Sequence, residues 1–144
     1  MGQHTTGERD GVAGRLMAAA AQVQAQAYTP YSHYAVGAAL LTREGRVFTG
    51  CNIENAAYPL TICAERVAVF RAVAEGQRDF VALAVVTNNG GSPCGSCRQV
   101  LREFNAGDLP VFIGTPDGRY RATTLAELLP DSFGPENLTS TLES

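Results

Sequence analysis

The chain has 144 residues, 11 basic and 14 acidic, for a formal net charge of −3. That length points to one domain, and 45% hydrophobic with 17% charged residues excludes a disordered chain. No run approaches the roughly 18 apolar residues of a membrane span, and an acidic balance with scattered basic residues argues against a nucleic-acid surface, so the expected partner is a small soluble molecule.

Residues 1–9 read as a flexible polar tail without the apolar core of a secretory signal. A cytoplasmic, reducing compartment is therefore expected, in which disulfides are disfavoured and metal or redox roles for cysteine gain weight. From 10 to 27, Val12, Leu16, Ala19, Ala20 and Val23 recur at helical spacing, and the Tyr28-Thr29-Pro30-Tyr31 run ends that helix. Residues 36–42 read as a buried strand, 43–46 as a hairpin turn and 47–52 as the returning strand. Thr61 can cap a helix over 62–75, which Gly76 stops. The apolar run 81–86 suits a central strand. Residues 88–92 form a loop, and Pro93 opens a helix over 94–104. A strand over 109–113, a turn at 116–118, a short strand over 120–122 and a short helix over 125–129 complete the order. Strands alternating with helices after an opening hairpin predict an α/β fold, with helices on both faces of a mixed sheet.

The cysteines carry the chemistry. Cys94-Gly95-Ser96-Cys97 is a CxxC, compatible alone with metal or redox use. Cys63 lies 31 residues earlier, and both groups fall at predicted helix starts. Free N–H groups and the positive end of the helix dipole favour thiolate there, and thiolate is the form that ligates metal. Three thiolates from two helix starts make an open zinc site. With only two histidines, His4 and His33, a site needing several imidazoles is nearly excluded. Glu65 follows Cys63 by two residues, close enough to act as general base and then general acid toward water at the open position. A non-ligand glutamate beside Cys63-Ala64-Glu65 and Pro93-Cys94-Gly95-Ser96-Cys97 is the pattern of the zinc deaminases. A structural zinc clip would need a fourth ligand, and the spare thiol, Cys51, sits in a predicted strand. A redox CxxC would leave Cys63 and Glu65 unexplained.

From about residue 12 to 138 the chain resembles the small homotetrameric cytidine deaminases. The resemblance rests on the strings at 31–40, 50–58, 62–66, 93–99 and 128–135, in order. It implies a three-layer α/β/α sandwich around a mixed five-stranded sheet, with one catalytic domain over 10–138 and a tail over 139–144. It implies one Zn²⁺ per subunit on Cys63, Cys94 and Cys97, with Glu65 as proton shuttle. Asn52 and Glu54 would bind the ribose hydroxyls, and the backbone at Ala64 together with Glu65 would read the pyrimidine. Phe133 would stack on a base bound in a neighbouring subunit, and Tyr58 would lie near a subunit boundary. Tyr34 stands where the family usually has Phe against the pyrimidine, which adds a hydroxyl needing a partner. Arg66 is expected to offset thiolate charge, because three thiolates and Zn²⁺ sum to −1. The reaction implied is hydrolytic conversion of cytidine and deoxycytidine to uridine and deoxyuridine, in pyrimidine salvage. Two other readings stay open: a deaminase of another substrate, such as an aminonucleoside antibiotic or a base in a polynucleotide, and a zinc-stabilised binding protein without catalysis.

Overall fold

The computed structural model describes residues 7–106 and 108–143. Five strands form one sheet in the order β2-β1-β3-β4-β5: β1 Val36–Thr42, β2 Val47–Cys51, β3 Phe80–Thr87, β4 Pro110–Gly114 and β5 Tyr120–Thr124. Only β3 and β4 are parallel; β1 pairs antiparallel with both β2 and β3, and β4 with β5. The sheet is therefore mixed, as expected. The helices are α1 Gly7–Gln24, α2 Ala64–Ala74, α3 Gly95–Arg102, α4 Leu125–Leu128 and α5 Pro135–Glu143.

Strand alternation divides the core between the two faces. On one face Ala39 and Leu41 of β1, Ala82, Ala84 and Val86 of β3, and Phe112 of β4 pack with Leu16, Met17 and Ala20 of α1. On the other, Ala38, Leu40, Leu83, Val85, Val111 and Ile113 pack with Ala64, Ala68, Val69 and Ala72 of α2 and Leu101 of α3. These two cores make three layers. Gly50 of β2 lets α2 approach closely, since a Cβ there would lie 2.4 Å from the Ala64 carbonyl oxygen and 2.6 Å from the Ala68 nitrogen. The first turn of α2 is thereby pressed onto the sheet.

Several boundaries differ from expectation. α2 starts at Ala64 with Cys63 as its N-cap, not at Ile62. The reason is that Ile62 is held extended in a bridge with Ile53, while the Thr61 hydroxyl accepts from the Asn55 N–H instead of capping the helix. α5 runs through 139–143, where a tail is expected from sequence. Its Asn, Thr and Ser content is poor in helix propensity, and tertiary contacts override it. Arg102 donates to both carboxylate oxygens of Glu136, and the Asn137 side chain accepts from the Gly134 N–H. Residues 7–9 of the expected N-terminal tail belong to α1; residues 1–6 lie outside the described residues. Among the described residues no helix is long and apolar enough to cross a membrane.

Candidate active site

Two N-caps and one first helical turn bring the sulfurs together. Cys63 caps α2, Cys94 caps α3, and Cys97 lies buried one turn into α3. Both helices abut the same face of the sheet, so residues 31 apart in sequence meet. Sγ of Cys63 and Cys94 are 3.9 Å apart, and Sγ of Cys94 and Cys97 3.6 Å. A tetrahedral zinc with Zn–S near 2.3 Å would separate its sulfurs by about 3.8 Å, so the trio fits zinc as it stands. Among the described residues it is the one cluster of three His, Cys, Asp or Glu donors close enough to share an ion.

The electrostatics favour a thiolate at Cys63. A hydrogen bond from the Cys97 thiol draws Cys63 down to about 5; burial opposes this, and Arg66 and Cys94 reinforce it. Cys97 moves the other way, because it gives its hydrogen to Cys63 and is buried near the Glu65 carboxyl. Arg66 Nη2 donates to Cys63 Sγ at 3.2 Å, the contact expected of a group offsetting thiolate charge. Arg66 Nε is buried without a partner among the described residues.

Glu65 is 4% exposed, with Oε1 3.7 Å from Cys97 Sγ. Burial pushes its carboxyl up from the ordinary range and the negative Cys63 adds to this, while its backbone N–H, Cys97 and Arg66 pull against it. A carboxyl raised in this way is a better proton acceptor than an ordinary one and can return the proton later.

Cys63, Cys94 and Glu65 line a cavity of about 280 Å³ together with Asn52, Glu54, Tyr34 and Ala64. Asn52 and Glu54 lie just beyond β2, and extended backbone still points both side chains to one side. The Asn52 amide clasps the chain before β1: Oδ1 accepts from the Val36 N–H at 2.9 Å and Nδ2 donates to the Tyr34 carbonyl at 2.8 Å. Glu54 accepts from the N–H groups of Tyr31 and Ser32 and from the Ser32 hydroxyl. The Ser32 hydroxyl bond is the main cause holding the Glu54 carboxyl below its ordinary value, with burial opposing it and the two N–H groups and His33 adding.

Tyr58 and Phe133 do not reach this cavity. Tyr58 is 69% exposed on a single 3₁₀ turn, edge-on to Tyr31 with ring centroids 5.7 Å apart, beside a neighbouring groove. Phe133 is 57% exposed, its carbonyl held by Gln99 Nε2.

Three supporting residues escape the sequence reasoning. Arg98 bonds the Pro93 and Leu128 carbonyls and the Ser92 hydroxyl, fixing the approach to Cys94. Gln24, at the end of α1, bonds the Ala35 carbonyl and the Asn88 side chain. Asn89 accepts from the Tyr34 hydroxyl. The one sequence signal for them is the density of Asn, Gly and Ser directly ahead of the CxxC.

Residues 12–113 match the family model described as the cytidine and deoxycytidylate deaminase zinc-binding region. A cytidine deaminase of Sporosarcina psychrophila is 50% identical over 131 residues, which is 90% of this chain and 96% of that protein. One of Halalkalibacterium halodurans is 49% identical over 125 residues, 85% of this chain and 95% of the other. The crystal structure of cytidine deaminase from Burkholderia pseudomallei superposes with a TM-score of 0.79 at 48% identity, covering 83% of this chain and 97% of that one. Cytidine deaminase from Mycobacterium tuberculosis gives a TM-score of 0.74 at 46% identity over 83% and 95%. Agreement along nearly the whole length, in sequence and in backbone, places this chain in the cytidine deaminase family.

Proposed function

We propose that the chain is a zinc-dependent cytidine deaminase that converts cytidine and deoxycytidine, with water, to uridine and deoxyuridine and ammonia, within pyrimidine salvage in the cytoplasm. The observation that carries this reading is the buried Glu65 carboxyl set against a trio of cysteine sulfurs beside one nucleoside-sized cavity. Cys63, Cys94 and Cys97 hold the zinc. Bound there, zinc supplies Lewis acidity that makes water nucleophilic at neutral pH.

Glu65 removes a proton from the water attacking C4 of the ring. It passes protons to N3 and then to the departing amine, so that ammonia leaves and a carbonyl remains at C4. The Ala64 backbone and Glu65 orient the pyrimidine, and the Tyr34 ring packs beside it. Asn52 and Glu54 take the ribose hydroxyls. Support comes from their place on the cavity wall and from the bonds that fix each in one orientation. Arg66 balances the charge of the sulfur set, a reading supported by its bond to Cys63.

The assembly is a homotetramer in which neighbouring subunits complete each site. Tyr58 and Phe133 then contribute across interfaces, a reading supported by two large aromatic side chains left exposed outside their own subunit's cavity.

The deciding experiment follows cytidine absorbance and ammonia release with zinc-loaded protein and with Glu65→Gln. Turnover is expected to fall roughly 10²- to 10⁴-fold in the variant, with zinc content retained. Folded, zinc-loaded wild-type protein that leaves cytidine unchanged would overturn the reading.

A further inference from the structure

Tyr34 is 40% exposed and ends the loop before β1, so packing alone does not fix its ring. Its backbone is fixed: the N–H donates to the Ser32 hydroxyl at 3.0 Å, and the carbonyl accepts from Asn52. Its hydroxyl reaches across the cavity mouth and donates to Asn89 Oδ1 at 2.8 Å. Asn89 Oδ1 also accepts from the Thr87 hydroxyl at 3.2 Å, and that hydroxyl accepts from the Gly91 N–H at 2.7 Å. Thr87 is 2% exposed and ends the central strand β3. The ring is thus tied through two side chains to the rigid centre of the sheet. Gly91 leaves the room for this, because a Cβ there would lie 2.4 Å from the Tyr34 hydroxyl oxygen. Tyr34, Thr87 and Gly91 all line the cavity that holds Glu65.

We propose that Asn89 is a positioning residue that latches Tyr34 by its hydroxyl at the cavity mouth, and that Gly91 is the position whose missing side chain lets the latch close. The inference rests on the nucleoside reading above. An exposed aromatic side chain otherwise samples several rotamers on the picosecond-to-nanosecond scale. Ligand would then have to order it, at a cost borne by binding. Glu65 and the sulfurs lie on other elements, so the chemical step is untouched once the ring is in place. The latch therefore acts on KM and not on kcat.

The test compares zinc-loaded wild type, Asn89→Ala, Tyr34→Phe, their double variant, Gly91→Ala and Tyr34→Phe/Gly91→Ala. The readouts are cytidine kinetics and calorimetric binding of uridine. Asn89→Ala is expected to raise KM and the uridine Kd roughly 2- to 12-fold, the range for ordering one side chain, with kcat within about twofold. The Tyr34→Phe/Asn89→Ala double variant is expected to match the weaker single variant, because both cuts break one bond. Gly91→Ala raises KM by displacing the hydroxyl, and adding Tyr34→Phe raises it no further, because the same bond is already lost. Unchanged KM in Asn89→Ala, or effects that multiply in either double variant, each overturn the inference while wild-type turnover stands. Wild type that holds zinc without turnover overturns the nucleoside reading and this inference together.

Discussion

Replacing Arg66 by Gln tests how the thiolates are held. Three thiolates and a divalent ion carry −1, and the guanidinium on Cys63 at 3.2 Å brings the set to zero. Two unit charges about 4 Å apart attract by about 4 kcal/mol at an effective dielectric of 20. That figure is too large here. Bound zinc itself neutralises most of the Cys63 charge, and Arg66 is only half-buried. The contact is then worth what a hydrogen bond to a charged group is worth, about 1.5–3 kcal/mol. Part of this returns on substitution, because the unpartnered buried Nε disappears. Zinc affinity in Arg66→Gln is expected to fall roughly 10- to 100-fold, read by competition with a chromogenic chelator on protein whose circular dichroism is unchanged. Arg66→Lys, which keeps charge but loses the planar fork, should lie between. An Arg66→Gln protein that holds zinc within about twofold of wild type refutes the reasoning.

Two further outcomes are expected. The Glu54 carboxyl is held below its ordinary 4.5, so its bonds to the 31–32 loop are fully present above that value and are lost as pH falls through the lower folded value. Uridine binding should show a low-pH loss below 4.5, and Ser32→Ala moves that onset to higher pH; an onset that Ser32→Ala leaves in place counts against the assignment. Gly50→Ala drives a methyl group into the backbone of Ala64 and Ala68, where no flexible side chain can yield. It should cost about 1–3 kcal/mol, or a few degrees to about 10 °C in Tm, and lower zinc retention with it; an unchanged melt would show that strand and helix can part freely.

Much of this architecture is legible in the sequence because its signals are local. The apolar runs of β1 and β3 and the turn between β1 and β2 are written in consecutive residues, and the limits of β1 to β4 agree with expectation to within a residue, while β5 runs two residues further than expected. The sulfur trio is legible because spacing and helix starts coincide. What escapes is whatever depends on distant partners. α5 is built from weak helix formers and is held by Arg102 from another helix. Thr61 looks like a cap, and only the Ile53–Ile62 bridge shows why it is not. The bond between Tyr34 and Asn89 joins residues 55 apart, and no periodicity announces it. Tyr58 and Phe133 lie outside the cavity, so the chain by itself does not display the roles that the resemblance gives them.

Helix α1 packs on the sheet face opposite the sulfur trio, yet its last residue, Gln24, binds one loop on each side of the cavity mouth. The far face is therefore tied to the loops of the cavity mouth by one amide as well as by the packing of α1 on the sheet. Cargo attached ahead of α1, such as a fusion partner or a surface tether, should leave turnover intact so long as that amide keeps both bonds, which makes the amino-terminal face a practical handle for immobilising the enzyme.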